Sequence, residues 1–203
     1  MGDDRPYFGN LPTRHFGAIV ADPPWYFKPY SGDGGSKAAD RHYRTMKLSE
    51  IKALPVESLA SPAGCHLFLW TTGPHLRQAF EIMTAWGFKY SGVAFTWVKL
   101  KRSHANSTIP MFMCDRDFHF GLGHTTRKNT EVCLLARRGN AKRIAKNVRE
   151  LILSPVREHS RKPDESLERV ERYAAGPYLE LFARSERPGW MSWGDEKEKF
   201  NGQ

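Results

Sequence analysis

Residues 16–25 read FGAIVADPPW, and this stretch decides the fold of the 203-residue chain. It opens as a short apolar run, which is typical of a buried strand. The run stops at Asp22, because the two prolines that follow cannot continue a hydrogen-bonded ladder. The sequence therefore predicts a strand that ends at a carboxylate.

Further strands and helices alternate along the chain on both sides of this stretch. Strands are predicted over residues 65–70, 90–98, 131–136, 151–153 and 178–182, and helices over 48–59, from Leu76 to a stop at Gly87, and between Pro163 and Gly176. Such alternation predicts an α/β fold with a mostly parallel, doubly wound sheet in a single domain over residues 1–203. Ligands of such sheets bind outside the carboxyl ends of the strands, where Asp22 and Arg184 lie.

Two segments are predicted to lie outside this regular structure. Residues 28–46 are interpreted as an active-site loop, because the part from Lys28 to Arg44 is rich in glycine, serine and charge and is long for a simple connection. Residues 196–203 are interpreted as a flexible charged tail.

The composition narrows the class of protein. Hydrophobic residues make up 40% and charged residues 26%, close to the globular average. No apolar run approaches the roughly 20 residues of a membrane helix, and the N-terminus does not resemble a signal peptide, so we predict a cytoplasmic protein without a membrane partner. Cys65, Cys114 and Cys133 include no CxxC pair, which disfavours disulfides and a zinc ribbon.

Potential metal ligands and basic residues form two further clusters. Cys114, Asp115, His119 and His124 lack the spacing of a metal site, so no metal is predicted. The net charge of +9 would attract a polyanion. The densest basic run has two interpretations, a solvated hairpin or a set of phosphate contacts; it comprises Arg137, Arg138, Lys142, Arg143, Lys146 and Arg149.

The segment from Asp22 to Trp25 fits the chemistry of an aromatic amine. Such an amine is a poor nucleophile, because its lone pair is delocalised into the ring. The Asp22 carboxylate and the Pro23 carbonyl could accept hydrogen bonds from its two protons, while Pro24 adds no competing donor and Trp25 stacks on the base. The alternative is an ordinary turn, since aspartate and proline both favour turns.

Motifs along most of the chain extend this interpretation. With the DPPW segment they make the sequence resemble the MT-A70-like family of N6-adenine methyltransferases, which includes the catalytic subunit of the eukaryotic messenger-RNA enzyme and bacterial and phage members. The motifs are HYRTM at 42–46, TWVK at 96–99, NTE at 129–131, EHSRKPDE at 158–165, ELFAR at 180–184, PGW at 188–190 and WGD at 193–195.

The resemblance implies a Rossmann-like methyltransferase that uses S-adenosyl-L-methionine. The catalytic residues that it implies are Asp22, Pro23, Pro24 and Trp25. The cofactor-binding residues are Asp22, Lys162, Arg184, Ser185, Glu186, Arg187, Asp195 and Glu196, with Lys162 directed to the methionyl carboxylate. The substrate-binding residues are Trp25, Tyr43, Trp97 and Lys99.

The resemblance further implies transfer of a methyl group to the N6 amine of adenine. DNA is the preferred substrate, because the chain lacks the RNA-binding zinc fingers and long extensions of the eukaryotic RNA relatives. Three alternatives stay open: an RNA N6-adenosine methyltransferase, a non-catalytic nucleic-acid-binding partner subunit, and a cytosine-N4 methyltransferase. Whether the chain acts alone or as a homo- or heterodimer is also open.

Overall fold

A computed structural model describes residues 7–26, 45–105, 112–121, 125–158 and 161–195 of the chain. Of the predicted active-site loop at 28–46, only Thr45 and Met46 fall within these ranges. Tyr43, Glu196, His124 and the predicted tail at 196–203 lie outside the described residues.

The described residues form one sheet of seven strands with helices on both faces. The strands are β1 (Ala18–Ala21), β2 (Cys65–Thr71), β3 (Lys89–Leu100), β4 (Thr130–Arg138), β5 (Leu151–Pro155), β6 (Tyr178–Leu181) and β7 (Trp190–Trp193). The α-helices are α1 (Leu48–Ala53), α2 (Leu76–Ala85) and α3 (Asp164–Tyr173). The strand order is β5-β3-β4-β2-β1-β6-β7.

The predicted α/β fold with a mostly parallel sheet is confirmed, and β4 is the exception. β1 pairs in parallel with β2 and β6, β3 with β5, and β6 with β7. β4 runs antiparallel to both of its neighbours, β2 and β3. An antiparallel return needs no crossover helix, and the antiparallel direction of β4 was not identified from the sequence.

One predicted helix is shorter in the structure, and one strand was not predicted. The helix expected over 48–59 ends at Ala53 and is followed by a short 3₁₀ turn at Val56–Ser58. Pro55 explains the break, since the residue before a proline disfavours helical backbone and Leu54 is extended. β7, with the sequence WMSW, was not predicted, because four residues after a glycine give little periodic signal.

The two faces of the central strands bury different residues. Ile19, Leu67 and Leu69 pack with α1 and α2, in a core that includes Ile51 and Ile82. Val20, Phe68 and Trp70 point to the opposite face and pack with Val170 and Ala174 at α3. Helices on both faces give the Rossmann-like arrangement expected from the sequence. No helix in the described ranges is long and apolar enough to span a membrane.

The strand register defines two edges of the sheet. The carboxyl edge is the edge at which β1 and β3 end and antiparallel β4 begins, with Asp22, Lys99 and Glu131. The amino edge is the opposite one, at which β2 begins and β4 ends, with His66 paired to Arg137 and Cys65 to Arg138.

Candidate active site

Backbone hydrogen bonds hold the Asp-Pro-Pro-Trp segment in a tight bend beyond β1. The Pro23 carbonyl accepts from the Trp25 N–H at 2.8 Å, and the Pro24 carbonyl accepts from the Met46 N–H at 3.0 Å. These bonds fix the direction in which the segment leaves the sheet. The Pro23 carbonyl keeps a second lone pair, so it retains the acceptor capacity that the sequence predicts for it.

Four alternating charges meet at the carboxyl edge and form what we call the ion-pair chain, Asp22–Lys162–Glu131–Lys99. The Lys162 ammonium lies 2.6 Å from Asp22 Oδ2 and 3.2 Å from Glu131 Oε2. Lys99 donates to the other oxygen of Glu131. Residues from four separate segments are thereby linked.

The charges of this chain fix one another's protonation states. Burial alone would raise the pKa of Glu131, but Lys162 and Lys99 lower it from 4.5 to about 2. Burial alone would lower the pKa of Lys162, and Asp22 and Glu131 reverse this, so that its pKa is raised above its usual value. Glu131 is therefore ionised and Lys162 protonated at neutral pH.

The Lys162 bond leaves half of the Asp22 carboxylate available. Lys162 donates to Oδ2, and Oδ1 accepts no hydrogen bond from any residue within the described ranges. The side chain of Asp22 is 21% exposed. A ligand at the edge can therefore donate to a carboxylate whose orientation is already fixed.

Asp22 also lines a cavity of about 560 Å³ that opens beside it on the α1 face of the sheet. A cavity of this size is ordinary for a small-molecule or cofactor site. Its walls are the residues Tyr7, Asp22, Pro24, Met46, Ser49, Glu50, Ala53, Leu54, Phe182, Ala183, Arg184, Trp193, Gly194 and Asp195. Three residues predicted to bind the cofactor, Asp22, Arg184 and Asp195, thus meet at one cavity.

The structure does not bring Ser185, Glu186 and Arg187 to this cavity. Arg187 donates to Glu171 of α3 through Nε at 3.0 Å, and the Trp190 indole donates to the same carboxylate at 2.7 Å. Arg187 thus ties the chain before β7 to α3 on the opposite face. The predicted contact of Arg187 with the cofactor stays a prediction.

Trp25 lies elsewhere than its sequence context predicts. Its ring is only 8% exposed, belongs to the core beneath α1 and α2, and stacks on His75 at a centroid distance of 5.0 Å. His75 is anchored in turn by Thr72 at 3.0 Å and by the Tyr26 carbonyl at 3.3 Å. The partner of the Trp25 ring is therefore a protein side chain, and the expected open face for a base is covered in this structure.

Trp97 is likewise a core residue in this structure, and its predicted contact with the substrate stays a prediction. It is 3% exposed, and its indole donates to the Ser154 carbonyl of β5 at 2.9 Å. Lys99, which was also assigned to the substrate, lies over the Trp97 ring at 4.8 Å and pairs with Glu131. Trp97 thus packs against Lys99, which is a member of the ion-pair chain.

Sequence reasoning missed two acidic residues of this region, Glu131 and Glu180. Both occur in the motifs that carry the family resemblance, but neither was given a role. Glu180 lies on β6, beside Val20 of β1. Burial and the neighbouring Asp22 raise its pKa to about 7. A glutamate within an otherwise apolar strand was the signal that could have identified it.

The segment around Cys114 is the one whose potential metal ligands were not predicted to form a metal site. Asp117 there pairs with His104 at 3.2 Å and accepts from the Cys114 backbone N–H at 2.8 Å. Across the ranges that the structure describes, no group of three or more metal-ligating side chains comes together.

Comparison with known proteins gives one family over nearly the whole chain. The model of the MT-A70 family matches residues 16–196. The chain is similar to the type II methyltransferase M.MunI of Mycoplasma sp, at 30% identity over 93% of this chain and 81% of that protein.

Eukaryotic relatives match over a smaller part of their own length. They include an N(6)-adenosine-methyltransferase MT-A70-like protein of Arabidopsis thaliana, at 32% identity over 89% of this chain, and the N(6)-adenine-specific methyltransferase METTL4 of Mus musculus, at 30% over 92%. The chain spans 24% of the first of these proteins and 38% of the second.

Proposed function

The chain belongs to the MT-A70 family of methyltransferases, and from this premise we propose that it transfers a methyl group from S-adenosyl-L-methionine to the N6 amine of adenine in DNA. One observation carries the proposal. Asp22 lies between the cavity on the α1 face and the ion-pair chain, with Oδ2 bound by Lys162 and Oδ1 left to accept from a substrate.

The residues of the cavity fit the proposed cofactor. Phe182, Trp193 and Leu54 offer apolar and aromatic wall for an adenine ring, and the Asp195 carboxylate can accept hydrogen bonds from ribose hydroxyls. Arg184 lies at the same wall as Asp195. When bound, S-adenosyl-L-methionine supplies an electrophilic methyl group on its sulfonium centre.

The protein would activate the amine by accepting hydrogen bonds from both of its N–H groups. The Asp22 carboxylate accepts one N–H and the second lone pair of the Pro23 carbonyl accepts the other, so positive charge developing on nitrogen is stabilised. The bend of the segment and the Lys162 bond hold both acceptors before substrate arrives, which avoids reorganisation during the reaction.

Lys162 supports this role by orienting Asp22. Its predicted contact with the methionyl carboxylate of the cofactor stays a prediction, as do the cofactor contacts of Ser185, Glu186 and Glu196. Lys162 precedes α3, which begins at Asp164. The position at the start of a helix suits a carboxylate ligand as well as a positioning role.

The preference for DNA is supported by the relatives. M.MunI is a type II methyltransferase, and it is similar to this chain at 30% identity over 93% of the chain. RNA is the second candidate substrate, favoured by the names of several eukaryotic relatives.

The test is a methylation assay on matched DNA and RNA oligonucleotides, with modified nucleosides identified by mass spectrometry. We expect N6-methyladenine in DNA, and Asp22→Asn should lower the rate at least a hundredfold, equivalent to about 3 kcal/mol of transition-state stabilisation. Asp115→Asn, the same change at an exposed residue, is the control and should keep full activity. Methylation of RNA alone would show that RNA is the substrate instead of DNA. Undiminished turnover by Asp22→Asn would refute the mechanism.

A further inference from the structure

A second cavity lies at the amino edge of the sheet, on the α3 face and away from Asp22. Its volume is about 460 Å³, and its walls are His66, Tyr90, Ser91, Leu135, Arg137, Ala141, Arg143 and Tyr173. No acidic side chain is among these residues. The lining therefore combines two permanent cations with aromatic and hydroxyl groups.

The two arginines of this amino-edge cavity have no acidic partner in the part of the chain that the structure describes. Within the described ranges, neither the Arg137 nor the Arg143 guanidinium takes part in an ion pair or a side-chain hydrogen bond. Arg138, which neighbours Arg137 on β4, behaves differently: it donates to Glu57 at 3.2 Å and to the Gly87 carbonyl at 3.1 Å. One part of the basic run is thus neutralised by the protein, and another part faces a cavity.

The buried wall of the cavity adds a neutral imidazole. His66 is 4% exposed and meets the Tyr173 ring edge-on at 5.2 Å. Burial, and secondly the charge of Arg137, lower its pKa to about 4. The positive charge of the cavity therefore comes from the arginines, and a neutral imidazole remains to hydrogen-bond a ligand.

Backbone pairing fixes the position of Arg143 against α3. The Arg143 segment forms an antiparallel bridge with Ala174, and the Ile144 N–H donates to the Tyr173 carbonyl at 2.7 Å. Arg137 is fixed by its strand, opposite His66. The backbone of both arginines is therefore fixed by hydrogen bonds, and both guanidiniums line the same cavity.

We propose that the amino-edge cavity is a phosphate subsite, in which Arg137 and Arg143 bind a backbone phosphate of the nucleic acid. The planar guanidinium matches phosphate with two parallel hydrogen bonds, and two of them without acidic neighbours have no competing partner. The inference that the ligand is a nucleic acid rests on the proposed function. The inference that the cavity binds a phosphate group rests on the cavity itself.

The phosphate subsite and the active site lie at opposite ends of the same strands. Ala18 of β1 pairs with His66, and Asp22 lies four residues farther along β1, so the two ends are about 13 Å apart in the strand direction alone, at about 3.3 Å per residue. Arg137 lies two strands away from β1, on β4, so a nucleic-acid ligand that contacts both sites spans more than this distance. The phosphate subsite would position the strand without contacting its bases.

The first test compares two double variants of equal net charge. Arg137→Ala with Arg143→Ala should weaken binding of a 20-base-pair duplex about tenfold and flatten the dependence of affinity on salt by about 0.9 for each phosphate that the variant no longer neutralises. Arg138→Ala with Lys142→Ala removes the same charge outside the cavity and should leave the slope nearly unchanged. Equal effects of the two pairs, or no effect of either, would overturn the subsite.

The second test identifies the source of the phosphate by following the His66 imidazole in NMR spectra of ¹⁵N-histidine-labelled protein. Titrations use inorganic phosphate, adenosine 5′-monophosphate and the duplex. A His66 shift with all three, abolished in the Arg137→Ala and Arg143→Ala double variant, supports a subsite that accepts free phosphate as well. A shift with the duplex alone supports backbone phosphate only. No shift with any ligand refutes the proposal.

Neither binding test needs methyl transfer, so the two proposals can fail separately. If the chain methylates no nucleic acid but its binding still depends on Arg137 and Arg143, the enzyme proposal fails and the subsite remains. If DNA is methylated but replacing both arginines does not change the dependence of DNA affinity on salt, only the phosphate subsite is refuted.

Discussion

The carboxyl and amino edges of the same sheet carry charge in opposite ways. At the carboxyl edge, Asp22, Lys162, Glu131 and Lys99 lie partly buried and pair with one another. At the amino edge, Arg137 and Arg143 face a cavity that has no acidic wall. Paired charges are fixed before a ligand arrives, which suits a group that must be oriented for reaction. Unpaired charges leave their hydrogen bonds to the ligand.

The ion-pair chain is better explained by positioning than by folding. Taking charges out of water costs free energy that their mutual attraction only partly returns, so buried ion pairs are often no more stable than an apolar replacement. Removing one member is nevertheless costly, because it leaves the others buried without a partner. The two edges should therefore respond very differently to the same chemical change.

The largest difference is expected from replacing one glutamate at each edge by glutamine. Glu131→Gln leaves Lys99 without its acidic partner and Lys162 with Asp22 alone, and should lower the free energy of unfolding by about 3–5 kcal/mol. Glu57→Gln breaks the pair with Arg138, whose side chains are 55% and 42% exposed, and should cost less than about 1 kcal/mol. Urea denaturation of both variants measures the difference.

A double variant checks that unpaired charge is the cause. Adding Lys99→Met to Glu131→Gln removes one of the two stranded ammonium groups, so part of the missing stability should return. Equal destabilisation by Glu131→Gln and Glu57→Gln, or no recovery with Lys99→Met, would show that the two edges do not differ in this way.

The edges should also lose stability in different pH windows. The pKa of His66 falls from 6.5 to about 4 on folding, so the unfolded chain binds the extra proton and stability decreases from about pH 6.5 to pH 4. The pKa of Glu131 falls from 4.5 to about 2, so its contribution, present above pH 4.5, is lost as pH falls toward 2.

The amino-edge window can be removed by mutation. Protonation of His66 in the unfolded chain should lower the free energy of unfolding by on the order of 3 kcal/mol as pH falls from 6.5 to 4, at about 1.4 kcal/mol per pKa unit. Glu180, whose pKa is raised to about 7, changes stability in the opposite direction between pH 7 and 4.5, so His66→Phe is compared with wild type at each pH. The stability of His66→Phe relative to wild type should rise as pH falls from 6.5 to 4 and stay constant below pH 4. His15→Phe, at an exposed histidine, is the control. A difference between His66→Phe and wild type that does not change between pH 6.5 and 4 would contradict the assignment.

The features that could be predicted are those that depend on residues close together in the sequence. The apolar runs at β1 and β2 predicted buried strands because every residue in them is buried, and the prolines after Asp22 marked the end of β1. The antiparallel direction of β4 could not be predicted, since direction depends on which strand it joins across the sheet. β7 has too few residues to show a period.

The candidate site divides in the same way. Asp22 and Arg184 were found because strand ends of an α/β sheet bind ligands, and both line the cavity. The pairing of Lys162 with Glu131 joins residues far apart in the sequence and depends on the antiparallel β4. The burial of Trp25 and Trp97 was missed because an aromatic residue after a motif has the same sequence signal whether it packs inward or faces a ligand.

Trp25 has an unsatisfied donor near the carboxyl edge, and its replacement gives the smallest expected effect. Its indole Nε1 is buried and has no hydrogen-bond partner within the described ranges. Trp25→Phe would remove that unsatisfied donor, worth about 1–3 kcal/mol, but would also remove packing volume from the core, which costs a comparable amount. The two terms oppose each other, so stability should change by less than about 1 kcal/mol.

Trp97→Phe is the matched control for this change, because the Trp97 indole does have a partner. Its removal leaves the partly buried Ser154 carbonyl of β5 without that donor, so Trp97→Phe should destabilise by about 1–2 kcal/mol more than Trp25→Phe. Thermal denaturation compares the two, and oligonucleotide titration of each adds a second measurement. If Trp25 is a core residue that stacks on His75, its phenylalanine variant keeps wild-type affinity for the oligonucleotide. A drop in affinity at unchanged stability would instead return Trp25 to the substrate side, with its ring rotating out of the His75 stack to meet the base.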